Sequence, residues 1–475
     1  MSGCERDSCL SECVCSRGQP EREPAGPPKQ ANNGAMNAAA SLPGKRSIRR
    51  TVVVACIAWA AFLCPALAHA QRQPINCQTS GQNLYVRDVM TELYYWYTFV
   101  PALDPLRFNS PEEYLEAVRH RPLDNSFSYI TSREENEAFF SDSQFVGLGF
   151  STAVRGSDMR VLQVFEGSPA AEAGFGRGHR ILEINGRTIE ALVAASQLDD
   201  AFGPNQIGAE VELAFQTRDG EARRARLTKR AITIPTVSLT RVITVDGRRV
   251  GYVFFRNFVR PSFAALDAAF ATLRESNVSE LVLDLRYNGG GLVDVAVHLA
   301  SLIAGPVTNG QVLAKYVHND RYRSWDEDIR FEAPETALGL SRLFVVTTRG
   351  SASASELMIN ALRPYIPVVV VGDRTYGKPV GQYGIPFCDK VIAPVAFTIR
   401  NVADKGDYFD GIPADCTAGD DITHDLGDVA EASFAEALQV VRTGACTPRP
   451  SAPQPSRVKD EDWRPTGWQS VVNAW

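Results

Sequence analysis

The sequence predicts a multidomain chain of mixed α/β and β character, with a helical N-terminal region, a small β-rich module and an α/β core. Three observations predict it. Aromatic and aliphatic residues recur at helical spacing from Tyr85 to Tyr97. Short alternating runs broken by Asn185-Gly186 and Asp219-Gly220 turns occupy residues 144–234. Beyond residue 235, apolar strand-like runs alternate with amphipathic helical stretches, the pattern of a largely parallel sheet covered by helices.

The elements follow in order. In residues 71–143, Ser110-Pro111-Glu112-Glu113 is a helix start: a Ser cap, Pro at the first position and acids in the first turn. In the module, strands are expected over Met159–Phe165, Arg180–Ile184 and Glu210–Gln216, with a helix over Ile189–Phe202. In residues 235–446, strands are expected over Arg249–Arg256, Leu281–Leu285, Leu343–Thr348 and Val368–Val371. Ser262 is expected to cap a helix whose apolar side is Phe263, Leu266, Phe270 and Leu273; further helices are expected over Leu292–Ala304 and Ala354–Tyr365. Residues 447–475 are rich in Pro, Ser and charge and read as a flexible tail.

Length and charge bound the function. At about 100–200 residues per domain, 475 residues allow two or three domains. A net charge of −6, with no basic stripe beyond the first fifty residues, argues against nucleic acid as a partner. The basic run Lys45-Arg46-Ser47-Ile48-Arg49-Arg50, the short apolar stretch Thr51–Cys64 and the Ala68-His69-Ala70 step have the pattern of a secretory signal cleaved after Ala70. The expected product is secreted or periplasmic with no stable membrane span; an uncleaved signal would instead tether it to the membrane. Residues 1–70 are therefore extension and signal, and Met36 is an alternative start. Cys4, Cys9, Cys13 and Cys15 lack the partners of a zinc site, so no metal is expected. The four cysteines beyond the signal allow three pairings, of which Cys388–Cys416 with Cys77–Cys446 is the expectation.

Three segments carry chemistry. Asp284-Leu285-Arg286-Tyr287-Asn288-Gly289-Gly290-Gly291 leads from a strand to a helix N-terminus, where close backbone approach and unpaired N–H groups suit an anion or an oxyanion; a plain tight turn is the alternative. Gly350-Ser351-Ala352-Ser353-Ala354-Ser355-Glu356 places serines at another strand–helix turn, where a hydroxyl can attack a carbonyl if a base takes its proton. Ser353-Ala354-Ser355-Glu356 also reads as a capping box. In Thr375-Tyr376-Gly377-Lys378-Pro379-Val380-Gly381-Gln382, a lysine follows a buried strand; desolvation would lower its pKa and make it a base, whereas an exposed turn lysine would stay protonated.

Together these segments resemble the C-terminal processing peptidases, or tail-specific proteases. The resemblance implies Ser353, the middle serine of SASASE, as nucleophile, Lys378 as general base and Gln382 as its positioning partner. It also implies Gly290 (or its neighbour Gly291) and the Ala354 N–H as the oxyanion hole, and a crotonase-like core of ββα repeats. The run Gly147-Leu148-Gly149-Phe150, then Gly167-Ser168-Pro169-Ala170, Ala173-Gly174-Phe175 and Ile181-Leu182-Glu183-Ile184-Asn185-Gly186, resembles a PDZ domain. Such domains hold a C-terminal carboxylate on loop amides and add the peptide as a strand, which makes Gly147, Leu148, Gly149 and Phe150 the expected peptide site. The chain departs from these patterns at Pro379, where the family often has Gly, and at Gly178-His179-Arg180, where Gly-Asp is usual.

Other chemistries fit less well. There is no G-x-S-x-G elbow, HExxH or P-loop. None of the six histidines adjoins a motif; His298 reads as structural, and His318 with Asp320 or His424 with Asp425 as surface pairs. The expected function is a serine endopeptidase with a Ser–Lys dyad that needs no cofactor. Its expected substrates are unfolded or tailed proteins, and it is possible as a homo-oligomer. The alternative is a catalytically inactive PDZ-containing peptide-binding protein on a protease scaffold.

Overall fold

A computed structural model describes residues 73–448 and the backbone of 464–466. The expected signal, the Met36 start and the upstream cysteines lie outside these residues. No helix among the described residues is long and apolar enough to cross a membrane.

The N-terminal region contains α1 (Thr79–Glu92), α2 (Pro111–Val118), β1 (Tyr129–Ser132) and α3 (Arg133–Asp142). The Ser110 hydroxyl caps α2 by accepting the Glu113 N–H at 3.1 Å. The helix expected to reach Tyr97 stops at Glu92, and the Tyr95 N–H bonds instead to the Val395 carbonyl at 2.7 Å. That bond turns the aromatic run inward. Tyr85, Met90, Tyr94 and Trp96 form one buried cluster with Tyr114, Phe127, Val380 and Phe387, so this region packs directly on the segment that carries Lys378.

The module follows as β2 (Gln144–Gly147), β3 (Phe150–Arg155), β4 (Asp158–Val164), α4 (Pro169–Glu172), β5 (Arg180–Ile184), β6 (Arg187–Thr188), α5 (Ile189–Ala194), β7 (Glu210–Gln216), β8 (Ala222–Thr228) and β9 (Arg230–Thr233). Its sheet runs β3-β4-β5-β7-β8 with β6 on β5, and β2 pairs with β9. The helix expected as far as Phe202 ends early because Ser196 takes a left-handed conformation (φ 53°), leaving only a single 3-10 turn at Asp200–Phe202. Alternate residues of the strands, including Met159, Val161, Ile181, Leu213 and Phe215, make a core of their own.

The remaining elements are β10 (Val237–Val245), β11 (Arg248–Phe255), α6 (Ser262–Glu275), β12 (Glu280–Asp284), α7 (Val293–Ala304), β13 (Val312–His318), β14 (Glu327–Arg330), β15 (Leu343–Thr347), α8 (Ala354–Leu362), β16 (Val368–Gly372), β17 (Val380–Gln382), β18 (Ile385–Phe387), β19 (Lys390–Ala393), β20 (Val395–Arg400), β21 (Cys416–Thr417) and α9 (Ala432–Thr443). The main sheet has the order β10-β11-β12-β15-β16-β21 and is parallel except for β10. Its strands alternate cleanly between faces. Val253, Phe255, Leu281, Leu283, Val345 and Val370 join α6, α7 and α8 on one side. Tyr252, Phe254, Val282, Phe344 and Val371 meet Phe434, Leu438 and Val441 of α9 on the other. A second sheet, β14-β13-β20-β17, leaves β17 at an edge, and β1-β19-β18 forms a third.

Three sequence expectations need correction. Ser262 begins α6 but does not cap it: its hydroxyl donates to the Asn257 carbonyl at 2.9 Å and accepts the Val259 N–H at 3.2 Å, bracing the preceding loop. The disulfides are Cys77–Cys388 and Cys416–Cys446, with Cα separations of 5.7 and 5.4 Å. The sheet order decides them, because β21 lies at the sheet edge beside the end of α9, while the turn after β18 meets the start of α1. Within the segment read as a flexible tail, Arg464–Thr466 forms a strand, β22, paired to β3.

Candidate active site

The three chemical segments meet at the carboxyl ends of adjacent parallel strands: the glycine loop after β12, the serine turn after β15 and the lysine loop after β16. Open α/β sheets gather ligands at such ends. The loops are tied together by their backbones. The Ser351 hydroxyl donates to the Leu285 carbonyl at 2.7 Å, and the Ser355 hydroxyl to the Asn288 carbonyl at 2.9 Å. Ala352 N–H also bonds to Asn288 O, and Tyr376 N–H to Ser351 O. The outer serines of the motif are thus consumed by structure. The middle one, Ser353, lines a cavity of about 530 Å³ together with Ala354, Gly291, Leu357, Gly381 and Gln382.

Ser353 sits at the N-cap of α8 with φ 54° and ψ −112°, a conformation unfavourable for a residue with a Cβ. It is held there by the Glu356 carboxylate, which accepts the Ser353 N–H at 2.9 Å. Glu356 does more than this cap reading suggested. It is fully buried, and its two oxygens also accept the Thr375 hydroxyl (2.5 Å), the Gly377 N–H (2.7 Å) and the Lys378 N–H (2.8 Å). One oxygen, Oε2, therefore receives the main-chain N–H of both Ser353 and Lys378. Burial pushes the Glu356 carboxyl up to about 7, against the pull of its four donors.

The Lys378 side chain is buried, 8% exposed, with its amine 5.9 Å from the centre of the Phe127 ring. Burial brings its pKa down to about 8, while the more distant charges of Asp124 and Glu356 pull the other way. Asp124 is itself occupied, accepting from Tyr94, Ser128 and the Phe127 and Ser128 amides. Gln382 donates through Nε2 to the Phe127 carbonyl. It thereby holds the main chain of the residue whose ring faces the lysine amine. Pro379 is accommodated without loss, because its carbonyl accepts the Ile399 N–H at 3.0 Å and its missing N–H is not needed before β17 begins.

Gly290 lies against the serine turn: a Cβ there would come within 2.8 Å of Ala352 O, Ala354 N and Ser353 Cβ. Its own N–H donates to Asn288 Oδ1 at 3.0 Å. Gly291 and Ala354 both line the cavity, and the Ala354 N–H lies at the start of α8, where helix amides lack intrahelical partners.

The sequence reading missed a second set of residues. Arg177, in the module, donates to Leu162 O and Tyr287 Oη at 2.6 Å and to Asp420 at 2.6 Å. Tyr287 stands at φ 63° within the glycine loop and also bonds Asp420. Arg286 binds Asp284, Asp420 and Glu431. Despite burial, the Arg177 and Arg286 guanidiniums hold Asp420 below the usual carboxylate range. The network connects the module to the glycine loop. A lone Arg or Asp in sequence gives no signal of this, because Arg177 lies 110 residues from Tyr287 and 243 from Asp420.

Three of the described histidines pair with nearby side chains. His298 bonds Asp267 at 2.8 Å. His318 is buried against Asp326 and Tyr383 rather than paired with Asp320 on the surface, and His424 pairs with Asp421 rather than Asp425. In the module, Gly147 ends β2, Leu148 is buried, and Phe150 opens β3. Gly149 has φ 91° with no room for a Cβ against Ser168.

The chain matches the family model for Peptidase family S41 over residues 249–415, the Peptidase S41 N-terminal domain over 81–129 and a PDZ domain over 160–202. It is similar to a CtpA-like serine protease of Staphylococcus saprophyticus, 26% identical over 65% of this chain and 61% of that protein. It is also similar to a chloroplastic C-terminal processing peptidase of Tetradesmus obliquus, 29% identical over 49% of this chain and 51% of that one. The match thus spans between half and two thirds of these relatives. A crystal structure assigned to the S41 proteases, from Bacteroides fragilis, is 26% identical with a TM-score of 0.60, over 75% of this chain and 96% of that one.

Proposed function

We propose, from the premise that the chain belongs to peptidase family S41, that it is an exported endopeptidase that cuts tailed or unfolded proteins by a Ser353–Lys378 mechanism. The observation that carries the reading is the shared Glu356 oxygen, which fixes the nucleophile's turn and the lysine's loop to one buried point. With its pKa brought down to about 8, Lys378 supplies a substantial neutral fraction near neutral pH. Its amine takes the Ser353 proton as Oγ attacks the substrate carbonyl. The oxyanion is held by the Ala354 amide and that of Gly291 or Gly290. The protonated lysine then returns its proton to the departing amine, and water hydrolyses the acyl-enzyme with Lys378 again as base. The module binds the substrate's C-terminal tail at Gly147–Phe150, and the edge strand β17, which lines the cavity, is free to pair with an extended substrate.

Ser353→Ala and Lys378→Ala should each lower cleavage of an unfolded, tailed substrate by about 10³-fold or more, with circular dichroism and melting retained. Near-normal cleavage by either folded variant sinks the assignment.

A further inference from the structure

The strand β22 lies on a particular edge. Without it, the module's sheet would end at β3, leaving a row of unpaired backbone groups. Strand β3 opens at Phe150, the last residue of Gly147-Leu148-Gly149-Phe150, and a captured peptide would be added there as one more strand. The pairing is antiparallel, with Arg464 opposite Val154, Pro465 opposite Ala153 and Thr466 opposite Thr152. The segment therefore runs with its C-terminal end toward the Gly147–Phe150 loop, the direction a captured C-terminal tail would take.

We propose that Arg464–Thr466 is a built-in ligand of the module, which occupies the β3 edge and competes there with the tails of other proteins. The competition rests on the reading that the module captures substrate tails; the strand pairing does not. Two features make the occupant displaceable. It is only three residues long, and Pro465 has no N–H to donate, which confines it to an edge position. Its tether to the core compensates for weak pairing, because a linked segment competes at an effective concentration of roughly millimolar. A foreign tail must then exceed that threshold, so the module would select strong or locally concentrated tails.

The test uses the Ser353→Ala chain at full length, the same chain ended after Pro448, and the full-length chain with Thr466→Pro. The truncation removes only β22 among the described elements and keeps both disulfides. Amide hydrogen exchange of 152–154 reads the pairing directly. The β3 amides facing away from β4 should exchange faster in the truncated chain, and equal protection in both forms overturns the tail strand. Binding of a labelled peptide with a free C-terminal carboxylate reads the competition. Affinity should rise about tenfold on truncation, rise partly with Thr466→Pro, and fall again when a synthetic 459–475 peptide is added. Unchanged affinity, with the peptide bound equally by all forms, overturns the competition. Loss of protection without peptide binding by any form refutes tail capture, and the competition with it, while leaving the internal strand in place.

Discussion

Two carboxylates near the glycine loop and the serine turn, Glu356 and Asp420, are both largely removed from water, yet their surroundings move them in opposite directions. Glu356 meets only neutral donors, three main-chain N–H groups and one hydroxyl, and burial raises it to about 7. Asp420 meets two guanidiniums and is held low. Burial alone is therefore a poor guide to a carboxylate's charge; the formal charge of its partners decides. The difference also separates two tasks. The Asp420 cluster joins the module to the core by ion pairing, whereas Glu356 arranges two loops while placing no strong cation beside Lys378.

The largest stability effect should come from breaking the charged cluster. Asp420→Asn leaves Arg177 and Arg286 short of a negative partner and should cost about 3 kcal/mol in denaturant unfolding. Stability within experimental error of the parent would show that the cluster is not what holds the module to the core. Glu356→Gln should cost less, about 1–3 kcal/mol, because one amide NH₂ must face donors that the carboxylate had satisfied. Its effect on catalysis should exceed its effect on folding. kcat should drop about 10- to 100-fold with KM little changed, since the proposed mechanism uses Ser353 and Lys378 and the main chain of both is held by Oε2. A kcat near that of the parent enzyme would reduce Glu356 to an ordinary cap. The smallest effect is on pH dependence. kcat/KM should climb with pH and level off above about 8 as Lys378 loses its proton. The midpoint should move down in Glu356→Gln, because the anionic carboxylate is one of the charges raising the lysine. An unchanged midpoint would mean that the charge of Glu356 does not reach the amine.

Lys378 also loads the fold in a way that can be measured. Its folded pKa of about 8 lies below the ordinary 10.5. Between those values the unfolded chain binds more protons, so stability should rise with pH across that window.

Much of this was legible in order along the chain. Ser353, Lys378 and the glycine loop each sit at the end of an apolar run that reads as a strand, and the resemblance to the C-terminal processing peptidases singled them out among such ends. Adjacent parallel strands then bring such ends together. The cap reading of Ser353-Ala354-Ser355-Glu356 was correct as far as it went: Glu356 does accept the Ser353 N–H. Its other three donors come from the lysine loop, 19 to 22 residues on, and no local pattern announces them. The helix expected through Tyr97 failed for a similar reason, since a main-chain bond to Val395 outweighed helical propensity.

Which residue types face which way can be read from the chain alone: period-two strands with two apolar faces, glycines where backbone must approach closely, and a serine and a lysine at strand ends. These follow from steric and solvation rules that act within a few residues. The partners were settled by long-range packing. It paired Cys77 with Cys388 and Cys416 with Cys446, buried Lys378 over Phe127, joined Arg177 to Tyr287 and laid β22 on β3. Such pairings depend on which surfaces the packed sheets bring into contact, and strand order and register set those contacts across hundreds of residues.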